Sequence, residues 1–118
     1  MQVIQPMLQF QTEMRMFHWN TTSFSEHKAF GAIYDALDDQ IDDFVETYTG
    51  IFGRTENKPF TLEIPAYGDL TKTKKCISEF EQYLEGMTKE IPKETDLLNM
   101  RDSILGEVSH LRYLLTLK

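Results

Sequence analysis

The chain has 118 residues, 41% of them hydrophobic and 26% charged, with 12 Lys plus Arg against 19 Asp plus Glu and a formal net charge of −7. This is the balance of one globular domain, residues 1–118, and it excludes disordered composition, fibrous repeats and the basic footprint of a nucleic-acid binder. No apolar run nears the ~20 residues that span a bilayer, and the opening residues Met1 to Pro6 lack the basic and long apolar parts of a secretory leader. The single cysteine, Cys76, allows no internal disulfide and no CxxC metal knuckle, so a cytoplasmic setting is expected.

Apolar residues recur at helical spacing in four segments. Met7, Phe10, Met14 and Phe17 predict an amphipathic helix from about Gln5 to Asn20, with Pro6 in its first turn. A short polar break follows, in which Ser23 or Ser25 can cap the next helix. The second helix is expected over 26–49, with Phe30, Ile33, Leu37, Ile41, Phe44 and Tyr48 on one face and Gly50 and Gly53 as its stop. Residues 50–68 carry Pro59 and Pro65 and read as a crossover whose Phe52, Phe60, Leu62 and Ile64 should pack onto the helices. Asp69 is a natural cap for a third helix bearing Ile77, Phe80, Leu84 and Met87, ended by Gly86 and Pro92. The fourth opens at Thr95 and carries Leu97, Ile104, Val108 and Leu111.

The loop lengths select the topology. Short breaks make helices one and two antiparallel, and likewise three and four. The middle connection can span up to ~60 Å, longer than any of the helices, so it can run the length of the bundle. The expected fold is all-α, a four-helix ferritin-like bundle, up-down-down-up, with one long crossover between helices two and three. Met16, Leu114 and Leu117 fall off the core stripes and predict a partner surface, hence a homo-oligomer.

Chemistry concentrates on helix two. On a helical wheel His27, Asp38, Asp42 and Glu46 form a slanted polar stripe beside the apolar face. Asp42 and Glu46 lie one turn apart and can share a cation, and an imidazole-plus-carboxylate donor set suits iron, zinc or manganese. A solvated acidic flank gives the same spacing. His18 ends helix one beside Trp19, which reads as a core plug, and Asn20 as its terminator. Glu107 and His110 form an ExxH spacing, but His110 projects away from the apolar face of helix four and only one such pair exists. Lys72, Lys74 and Lys75 read as a solvated basic patch, and Cys76 as an inert packing residue.

The run His18-Trp19-Asn20, a short loop with Phe24, and then His27, Phe30, Tyr34, Leu37, Asp38, Asp42 and Glu46 resembles the signature of the Dps family, the miniferritins of the ferritin-like superfamily. The match covers roughly Phe17 to Tyr48. The resemblance implies iron binding between two-fold-related subunits, with His18 and His27 of one chain facing Asp42 and Glu46 of its partner, and oxidation of Fe(II) as a ferroxidase that protects against oxidative damage. It also suggests a short, virus-encoded relative. Two departures stand out. Gly31 occupies the place where the family pattern carries an Asp one turn after the second histidine, with Asp35 as the nearest substitute. The His18-to-His27 segment is about three residues shorter, which puts the reach of His18 in question. Residues 1–14 hold no Lys or Arg, so direct DNA binding is not expected. The departures favour an alternative, a ferritin-like scaffold without metal chemistry that binds a small molecule or a protein.

Overall fold

The computed structural model describes residues 1–54 and 58–118. Its regular structure consists of four helices, α1 (Ile4–Asn20), α2 (Phe24–Phe52), α3 (Leu70–Glu90) and α4 (Thr95–Leu114), with no strand among the described residues. None of these helices is long and apolar enough to cross a membrane.

Local chemistry sets most of the boundaries. The Ser23 hydroxyl accepts from the Glu26 amide and starts α2, and the Asp69 carboxylate accepts from the Lys72 amide and starts α3. Two glycines expected to stop helices do not. Gly50 is carried inside α2, which runs to Phe52 and ends at Gly53, where φ is +86°. Gly86 lies within α3, which continues until Ile91 and Pro92. An interior glycine costs only ~1 kcal/mol against alanine, and the backbone ladder on both sides outweighs it. The left-handed φ at Gly53 is what breaks the ladder.

α1 packs against α2 and α3, and α4 packs against the same two helices. Side-chain contacts fix the directions. Gln11 meets Asp38 while His18 meets His27, so α1 and α2 are antiparallel. Phe10 stacks on Phe80 at 4.2 Å while the Tyr83 hydroxyl donates to the Gln2 carbonyl, so α1 and α3 are antiparallel too. Arg101 donates to the Leu84 carbonyl and Arg112 pairs with Glu81, which runs α4 against α3. Ser25, at the start of α2, donates to the Leu117 carbonyl just past the end of α4. α2 and α3 therefore both run opposite to α1.

The expected stripes are the core: Met7, Phe10, Met14, Phe17, Phe30, Ile33, Leu37, Phe44, Ile77, Leu84, Leu97, Ile104 and Val108 are all buried. Buried Arg101 is satisfied by the Leu84 carbonyl at 2.8 Å, the Thr88 hydroxyl at 3.0 Å and Asp102 at 2.8 Å. Other expectations need correcting. Trp19 is no core plug but 62% exposed, because it sits about 200° round the helix from Phe17. Leu114 packs against the core rather than standing off it, whereas Leu117 stays exposed. On the crossover Leu62 and Ile64 are half-buried, while Phe52 and Phe60 are exposed. Part of that crossover, 55–57, lies outside the described residues. Its second half is tied down: the Gln9 amide group donates to the Glu63 carbonyl at 2.7 Å and accepts from the Glu63 amide at 3.2 Å, and the Tyr67 hydroxyl bonds Glu26.

Candidate metal centre

The turn between α1 and α2 is three residues long, and its polar side chains are spent on closing it. The Asn20 side chain donates to the Met16 carbonyl at 2.9 Å, Ser23 caps α2, and the Thr21 hydroxyl donates to Glu26 at 2.9 Å. This tight reversal brings the last turn of α1 face to face with the first turns of α2. His18 and His27, nine residues apart, stack with ring centroids 3.8 Å apart and planes inclined by 15°. The shortened segment thus does not keep His18 from reaching His27.

Each imidazole is held by the other residue's backbone. Nδ1 of His18 donates to the His27 carbonyl at 2.6 Å, and Nδ1 of His27 donates to the His18 carbonyl at 2.8 Å. A carbonyl oxygen can only accept, so both Nδ1 atoms carry hydrogen. In the neutral ring the lone pair then lies on Nε2, the tautomer in which a metal-ligating histidine is held by its second nitrogen. Both side chains are half-buried, so each ring keeps an exposed part.

Gly31 explains how the His18 ring fits. A Cβ built at that position would lie 2.9 Å from Cε1 and 3.0 Å from Nδ1 of His18. The ring therefore fills the space a side chain at position 31 would need, and no acid at that place can coexist with this seat. The Tyr34 ring meets His18 edge-on at 5.3 Å and carries the Arg15 guanidinium on its face at 4.7 Å. Phe24 lies 6.5 Å from His27 with Lys28 over its ring, and is itself 74% exposed.

Asp42 and Glu46 are exposed further along α2. Their carboxylates, with that of Asp43, come within 4.8 Å of one another, the one grouping of three or more such ligands among the described residues. Asp43 escaped the sequence reading, although its spacing of three from Glu46 is the signal that finds it. Asp38 is taken up by the Gln11 side chain at 2.6 Å, and Asp35 is exposed. Within one chain the four predicted residues form two pairs. The fifteen residues of α2 from His27 to Asp42 rise about 22 Å, so the histidines and the acids of a single protomer do not meet. His110 is exposed on α4, consistent with its reading as no ligand of a bundle-centred site.

A family of unknown function (DUF5856) matches residues 18–115, a span that opens at His18 and contains His27, Gly31, Asp42 and Glu46. A protein of Enterobacteria phage T4, described as an uncharacterized 14.6 kDa protein in the mobD-ri intergenic region, is 34% identical over 102 residues, covering 86% of this chain and 75% of that protein. No solved structure matches.

Proposed function

The chain belongs to the DUF5856 family of unknown function, and we propose that it is a phage-type, Dps-like protein that binds and oxidises Fe(II) between two-fold-related subunits. In this reading the fold is ferritin-like, up-down-down-up with a long crossover. The support for that topology is that α2 and α3 both run opposite to α1, with the 53–69 connection between them. The phage relative supports a viral setting.

The observation that carries the proposal is the reciprocal tether of His18 and His27, which leaves Nε2 of each ring as the free donor. Two neutral imidazoles alone bind iron weakly, and a carboxylate supplies the harder, charged donor that Fe(II) and Fe(III) favour. Asp42 and Glu46 provide it from a partner in an isologous pairing, in which residue i faces j and j faces i. Distance along α2 makes the partner necessary. The rings lie in nearly parallel planes 3.8 Å apart, so their in-plane lone pairs do not converge. Each imidazole would then serve its own ion. Iron is the substrate: two Fe(II) each give one electron, and one peroxide takes both with two protons to leave as two waters. The chain's part is to fix the imidazole tautomers, concentrate Fe(II) by negative charge, and keep the reaction at a protein surface.

Anaerobic Fe(II) titration followed by peroxide addition tests this. Saturable binding and oxidation faster than in buffer are expected. Absence of both overturns it and leaves the second reading, a scaffold without metal chemistry that binds a small molecule or a protein, the former favoured by the open cleft between α1 and α3.

A further inference from the structure

We propose that the cleft between α1, α3 and the crossover is a binding site for a small organic ammonium ion whose charge is met by Glu13. The cleft holds about 1140 Å³, ample for a small organic molecule, and lies apart from the histidine pair. One wall is the second half of the crossover, fixed in place by the two-way pairing of the Gln9 side chain with the Glu63 backbone.

Glu13 and Cys76 line this cleft and are each 7% exposed. A buried carboxyl group normally meets a cation or a full set of donors. Glu13 has neither: its contacts are the Gln9 amide at a long 3.4 Å and the Cys76 thiol, and the ion pairs of the described residues, Arg101–Asp102 and Arg112–Glu81, are elsewhere. Burial, with Glu79 nearby, pushes its carboxyl above the ordinary 4.5. A ligand ammonium placed against it would supply the missing positive charge in a site of low dielectric, where a charged hydrogen bond is strong.

Charge and shape at the mouth agree. Glu63, Asp69 and Glu79 outnumber Lys72 and Lys75 there, and the Lys72 ammonium donates to the Ala66 carbonyl at 3.2 Å. Pro6, Ile64, Phe80 and Tyr83 offer apolar surface beside the acid. A bare metal ion would waste that surface, whereas an amine carrying an apolar group uses both halves of the cleft.

The probe is 2-phenylethylammonium, titrated into the full chain with amide and side-chain carboxyl NMR detection. Saturable binding is expected, with shifts at Glu13, Cys76 and Phe80. The isosteric alcohol, 2-phenylethanol, should bind at least about tenfold more weakly, a difference of ~1.4 kcal/mol. Glu13→Gln should lose the preference for the amine while keeping helical content. Should that variant fail to fold, the wild-type Glu13 carboxyl carbon reads the same contact by moving toward its ionised shift on titration. Equal binding of amine and alcohol, an unmoved Glu13 carboxyl, or no binding of the amine at about 10 mM overturns the proposal.

Discussion

Gly31 has no side chain where the ring of His18 lies: a Cβ at position 31 would stand 2.9 Å from Cε1 of that imidazole. The absence of a side chain at position 31 of α2 and the seat of the α1 histidine are one structural fact.

Gly31→Ala tests that fact directly. Alanine is the better helix former by ~1 kcal/mol, so overall stability should hold or rise. The His18 ring, in contrast, must leave its seat, because the backbone of α2 cannot yield as a flexible side chain can. We expect the tethered Nδ1–H signal of His18 to vanish from the proton NMR spectrum of the metal-free protein, while that of His27, which donates to the His18 backbone carbonyl, persists. An unchanged His18 signal would contradict this steric account.

Asp42→Asn with Glu46→Gln removes two exposed acids one turn apart. Like charges at that spacing repel by a few tenths of a kcal/mol, so thermal unfolding should be unchanged or slightly later. Fe(II) affinity should fall at least tenfold. Retained affinity with an unchanged fold would assign the iron to other ligands.

Glu13 gives the molecule a pH signature. Burial raises its carboxyl above 4.5, Cys76 and Gln9 bond it, and Glu79 adds like charge. For an acid with a raised folded value, the native state keeps its proton after the unfolded chain has lost it. Its contribution is therefore most favourable below 4.5 and is lost as pH rises through the folded value. Glu13→Gln should stabilise the protein by about 1 kcal/mol at neutral pH, and the gain should disappear in denaturant titrations near pH 4. A gain independent of pH would refute the assignment to ionisation. The neighbouring Cys76 thiol is pushed up to about 12 by burial and by Glu13, so it should resist alkylation in the native protein.

Arg101 joins α4 to α3 from within the core. Arg101→Ala strips donors from the Leu84 carbonyl and the Thr88 hydroxyl and opens space beside them. A loss of about 3 kcal/mol in chemical denaturation is expected. Arg112→Ala, on a half-exposed pair with Glu81, should cost under ~1 kcal/mol.

The core was legible because burial follows periodicity: Met7, Phe10, Met14 and Phe17 recur at three and four residues and all are buried. The caps at Ser23 and Asp69 were legible because a side-chain oxygen before a helix meets a free amide. Gly50 and Gly86 misled, since a glycine ends a helix through its φ and identity alone does not give φ. The candidate site was half legible. Spacing marked His27, Asp42 and Glu46, together with Asp38, and the family resemblance added His18. The reciprocal tether and the seat over Gly31 depend on how closely a three-residue turn brings two helices, which one-dimensional spacing does not carry. Trp19 was misplaced for a related reason: its size suggested burial while its angle faced it outward.

Subunit complementation tests the central claim most directly. One protein carries His18→Ala and His27→Ala, and the other Asp42→Asn and Glu46→Gln. Neither should bind Fe(II) tightly alone. After mixing and subunit exchange at equal amounts, half of the pairs are mixed, and each mixed pair has one intact site. About a quarter of the wild-type Fe(II) capacity should therefore return. Exchange verified by mass with no recovered binding, or full binding by either protein alone, contradicts a centre shared between subunits.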